Sequence, residues 1–191
     1  MLLTTKLKAA PVGLSVLILL VLAASAFGQS TKQSKSARRQ LADQLNDFKY
    51  TTYTMLQEAD TLSLSTSRKD LGWMSHSRAL NDLRDHVNRL GKLLAKLEAQ
   101  KSAGTEGQAL AIEHARPDLV SVARNLTQAI ALVNENRYSV NQEDYADAVS
   151  NMYAHADALY HNTDAILDYE EAGMRLDELE LRPATNVVRT D

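Results

Sequence analysis

Residues 71–101 read LGWMSHSRALNDLRDHVNRLGKLLAKLEAQK, and within them Trp73, His76, Leu80, Leu83, Val87, Leu90, Leu94 and Leu97 recur at alternating spacings of three and four. That rhythm keeps one narrow stripe on one side of an α-helix, whereas a strand would alternate at every second residue. The stripe predicts a helix whose seam is covered by other helices. At about 1.5 Å of rise per residue the segment is on the order of 45 Å long, so its partners must be long as well.

Three such partners are present. Helix 1 is expected from about Ser36 to Leu64 with Leu41, Leu45, Phe48, Thr52, Met55, Ala59 and Leu62 inward. Ser67 and Asp70 have the spacing of a capping box before helix 2, and Gly104 is placed as the left-handed stop after it. Thr105 with Gln108 forms a capping box for helix 3, whose stripe is Ile112, Ala115, Leu119, Val122, Leu126, Ala129 and Val133, with Ile130 widening the face. Pro117 interrupts that run, removes one amide and crowds the preceding turn, which predicts a kink or a fresh helix start. Asn141 is expected to cap helix 4, with Val140 and Tyr145 as a hydrophobic staple. Helix 4 then carries Tyr145, Val149, Met152, Leu159, Ile166, Tyr169 and Leu176 inward as far as about Glu180, and Pro183 ends it.

The fold class is therefore all-α. Four long helices with short connections predict an up-down-up-down four-helix bundle over residues 38–182, with helix 3 kinked near Pro117. Hairpins exchanged between two chains, or an array bent at Pro117, use the same helices. Charge favours the closed bundle. Lys35, Arg38 and Arg39 start helix 1 and Asp168, Glu170, Glu171, Asp177, Glu178 and Glu180 finish helix 4, both against the helix macrodipole. In an antiparallel bundle those two ends are neighbours and offset each other.

Residues 1–28 read as a secretory signal peptide: Lys6 and Lys8, an apolar run from Val12, then Ala24-Ser25-Ala26 or Ala26-Phe27-Gly28 for cleavage. Retained, the same segment would serve as an anchor; cleaved, it leaves no membrane attachment. The polar residues 29–37 are expected to be a flexible lead-in and 183–191 a disordered tail. The chain has no cysteine, so a secreted or periplasmic product holds by packing alone. Its net charge of −3 becomes two units more acidic without Lys6 and Lys8, which argues against nucleic acid as a partner.

No phosphate-binding glycine loop, nucleophile elbow, zinc-protease motif or cysteine nucleophile occurs, so a non-enzymatic structural, interaction or small binding module of the cell envelope is expected. Met55 and His155 fall at nearly the same height on helices 1 and 4, and Met152 joins their layer. A Met on the first helix and a His on the last resemble the ligands of four-helix b-type haem cytochromes, which are likewise exported and lack a Cys-x-x-Cys-His site. The resemblance implies haem b and electron transfer, although that family places its ligands nearer the helix ends. Asp157, His161, Asp164 and Asp168 line one outward face of helix 4, where they suit a divalent cation or simply a solvated surface.

A di-iron centre is excluded: no Glu-x-x-His occurs, and Glu58 lies off the helix 1 stripe. His76 stands within the helix 2 seam, where a polar residue fixes register more often than it binds a ligand. Tyr153 and Tyr160 share a heptad position beside the main stripe and suit a protein partner or a second copy. Asn125-Leu126-Thr127 matches a glycosylation acceptor but falls in mid-helix.

Overall fold

A computed structural model describes the backbone of residues 15–68 and 70–180 and the side chains of 36–68 and 70–176. Among them the chain forms four α-helices, α1 (Ser15–Ser65), α2 (Trp73–Gln100), α3 (Glu106–Glu135) and α4 (Glu143–Glu180), with 3-10 turns at Lys101–Ala103 and Arg137–Asn141. No strand occurs among the described residues. Half of the expected signal segment and the tail at 183–191 lie outside them, while the backbone helix of α1 continues through the lead-in at 29–37. Among the described residues, no helix is long and apolar enough to cross a membrane.

Packing follows the stripes. Each helix packs against its neighbours in sequence, and α1 also packs against α4. All seven inward positions of helix 1 are buried, as are His76, Leu80, Leu83, Leu90, Leu94 and Leu97 of α2, with Trp73 and Val87 half-buried at its margin. The weak member Thr52 is accommodated because its hydroxyl donates to the Phe48 carbonyl at 2.9 Å, leaving no unsatisfied polar atom in the core. The α3 stripe is buried from Ile112 to Val133, and Pro117 lies inside one unbroken helix rather than starting a new one.

Cross-helix pairs run down every seam. Gln44, Asp47 and Glu58 of α1 meet Gln100, Arg89 and His86 of α2. Glu98 and Lys101 meet Arg116 and Glu113 across α2 and α3. Asp118 of α3 reaches His155 and Asn162 of α4, Thr105 bonds Glu170, and Lys49 of α1 pairs with Asp164 and Asp168.

Three local expectations are corrected. The Ser67–Asp70 box does not form: Ser67 donates to Leu64, Asp70 pairs with Arg68 at 2.7 Å, and Gly72 precedes the helix without a side-chain cap. Gly104 is not left-handed, since its φ is −82°. It is glycine because an added Cβ would stand 2.5 Å from Leu41 and 2.9 Å from the Gln108 carboxamide. Asn141 belongs to the 3-10 turn, so α4 starts later than an Asn141 cap would allow.

The α4 stripe also departs from its heptads. Thr163 is buried and Leu167 packs against the core, whereas Tyr169 and Leu176 are 83% and 62% exposed. A straight helix repeats after about 18 residues, so the face that begins at Tyr145 returns at Thr163, not on a strict heptad. The Thr105–Gln108 capping box forms as expected, both halves present.

Candidate functional site

Beside its core stripe, α1 carries Tyr50, Thr54, Gln57, Glu58 and Thr61, which recur about every turn and so share one flank of the helix. With Tyr53 of α1 and Ala79 and Asp82 of α2 they line a groove of about 440 Å³. Tyr50 is 70% exposed and Tyr53 44%. Tyr53 is braced from behind by Tyr160 of α4, the ring centroids 5.3 Å apart and tilted by 50°. The lining contains two carboxylates and no lysine or arginine.

Glu58 is the unusual member. Its Oε1 lies 3.2 Å from Nε2 of His86, while Oε2 is buried and has no hydrogen-bond partner. An acceptor taken out of water without a donor costs about 1–3 kcal/mol. Glu58 lies off the core stripe of α1 and is only half-buried. The signal that could have recovered it was the outward series of Tyr50, Tyr53 and Glu58 on one helix.

The expected ligand sets are not assembled. Met55 and Met152 are fully buried in the apolar core, but the His155 side chain is 43% exposed with its Nδ1 3.6 Å from Asp118 of α3. A dry thioether and a surface imidazole drawn toward a different helix do not fit the two faces of one haem. On the outer face of α4, His161 turns Nδ1 toward Asp157 at 3.1 Å, and Asp164 and Asp168 are both taken by Lys49. That ammonium occupies the position a cation would need. The Asp164 hydrogen bond, more than the charges of Asp164 and Asp168, holds the Lys49 pKa above its ordinary range. No group of three or more metal-ligating side chains occurs among the described residues.

His76 is buried with a definite partner. Its Nδ1 lies 3.0 Å from the Tyr145 hydroxyl, with the rings edge to face at 5.5 Å, linking α2 to α4 through the core. The neutral imidazole satisfies the hydroxyl in either tautomer. Burial lowers the His76 pKa and pushes the Tyr145 phenol above its ordinary range, so both stay neutral near pH 7. Beside them, Arg137 sits 4.4 Å over the Trp73 ring. The buried imidazole and phenol thus satisfy each other. Tyr153 is half-buried against the core, whereas Tyr160 joins the Tyr53 wall.

Comparison with family models, with curated proteins and with solved structures finds no match.

Proposed function

We propose that this chain is an exported, non-enzymatic binding module: an up-down-up-down four-helix bundle, bent near Pro117, that acts in the envelope or outside the cell after loss of residues 1–28. The antiparallel order is supported by the cross-helix pairs, because partner numbers fall along one helix as they rise along its neighbour. Export is supported by the basic start, apolar run and small-residue ending of the first 28 residues.

The observation that carries the binding role is the α1–α2 groove. It combines exposed tyrosine rings with an unsatisfied Glu58 oxygen, whereas His76 and His161 already have partners. Tyr rings supply contact area with little side-chain entropy to lose, and small-ligand sites are apolar concavities with a few placed polar groups.

The test has two arms. Fractionation of cells expressing the full chain should place a product shortened by about the signal length outside the cytoplasm; a full-length cytoplasmic product overturns export. Chemical-shift titration of the mature chain with small cationic, anionic and neutral compounds should move resonances of Tyr50, Tyr53 and Ala79. If no class does so, the groove is not a site.

A further inference from the structure

We infer that the α1–α2 groove takes a primary alkylammonium ion, the aliphatic chain lying on Tyr50 and Tyr53 and the N–H donors directed to Glu58. The inference rests on the binding role proposed above and names its ligand class. Three observations select that class. The two charged groups of the lining, Glu58 and Asp82, are both acidic, so the groove attracts a cation and repels a carboxylate or phosphate. Tyr50 and Tyr53 are exposed aromatic faces of the kind that hold a cation through the ring quadrupole. Glu58 Oε2 lacks a donor, which an ammonium N–H supplies; no group of three or more metal-ligating side chains occurs among the described residues to complete a metal's coordination.

The buried oxygen is reached by a turn of the carboxylate about its terminal torsion, which is soft. Before a ligand enters, His86 holds the other oxygen; the turn that brings Oε2 into the groove releases that contact. The volume of about 440 Å³ is more than enough for a short alkylammonium or diamine.

The experiment is a chemical-shift titration of the mature chain with butylammonium, tetramethylammonium, 1-butanol and butyrate at matched ionic strength. Butylammonium should bind tightest, because it alone combines charge, N–H donors and an alkyl chain. Glu58→Gln, close in shape, should weaken it about tenfold, and Tyr50→Leu, at an exposed position, several-fold. Asp144→Asn, an acid outside the groove, should change nothing. Tetramethylammonium binding equally well would overturn the donor role of Glu58. Preferential binding of 1-butanol or butyrate in the groove would overturn the cation while leaving the site in place. No binding of any probe would remove both.

Discussion

Tyr145 and Tyr169 belong to the same helix and to the same apolar pattern read from the sequence, yet one is fully buried and the other 83% exposed. Around Tyr145 all neighbours are present: His76 of α2 accepts or donates at its hydroxyl, and Val140 of the 3-10 turn is buried nearby in sequence. Tyr169 has turned away from its neighbours, because the buried face has moved on through Thr163 to Leu167. Glu170, next to it in sequence, still meets Thr105 and Gly107 at the start of α3, and Asp168 still meets Lys49 of α1, so partners are present at this height. A stripe extrapolated on strict heptads rotates off the buried face of a straight helix even while its partners are still alongside.

Substitution at the two tyrosines gives the largest contrast. Tyr145→Ala should destabilise the fold by about 3–5 kcal/mol, as truncation of a buried aromatic does, while Tyr169→Ala should stay within about 0.5 kcal/mol. Chemical denaturation of both variants measures this. A comparable loss at Tyr169 would mean that something covers the end of α4 in solution. Tyr145→Phe isolates the hydrogen bond: it leaves His76 with a ring nitrogen facing no partner and should cost about 1–3 kcal/mol. His76→Leu with Tyr145→Phe should cost less than the sum of the single changes, since the pair is then removed together.

The stripes of α1, α2 and α3 were legible because burial there depends on a local period repeated over many turns. Leu41 to Leu62 and Ile112 to Val133 follow it without exception. The end of α4 was not, since a heptad extrapolated over five turns drifts off the buried face. The capping box at Thr105 was readable as two side chains three residues apart. The partners of Ser67, Asn141 and Gly104 depend on which turn the connection adopts. As for sites, helical spacing placed Met55 and His155 but not their directions: Met55 is buried in the core and His155 lies at the surface beside Asp118. The groove at Glu58 is a property of two helices and shows in neither alone.

Gly104 marks the end opposite the Tyr145 layer. Gly104→Ala drives a methyl group into Leu41 and into the Gln108 side chain that completes the α3 cap, for an expected loss of about 1–3 kcal/mol. Gly91, inside α2, meets nothing within 4 Å, so Gly91→Ala should instead stabilise by about 0.5–1 kcal/mol. If the two alanines behaved alike, close approach at Gly104 would not be the reason for its glycine.

The two ends of α4 should also answer differently to solvent. At the Tyr145 end the imidazole of His76 has its pKa lowered by burial, so below about pH 6.5 the unfolded chain binds more protons than the folded one. Stability is then complete above that pH and falls as pH drops toward the folded value. One proton accounts for at most about 1.4 kcal/mol per pH unit. His76→Leu should remove that portion of the acid slope, read as the difference between variant and parent across pH 7 to about pH 5.

Toward the other end, α4 is tied to α1 by charge, through Lys49 with Asp164 and Asp168. Lys49→Met should cost no more than about 1 kcal/mol at low ionic strength, because partly exposed pairs gain little over their hydration. Most of that loss should vanish at about 1 M salt, where the screening length falls to about 3 Å. The cost of Tyr145→Phe should not shrink in the same way, since both members of that pair are neutral and out of solvent. Melting curves of the two variants at low and high salt therefore separate a screened ionic tie from an unscreened hydrogen bond along a single helix. A Lys49→Met cost that held constant with salt would mean that its aliphatic stem, rather than its charge, holds α4 against α1.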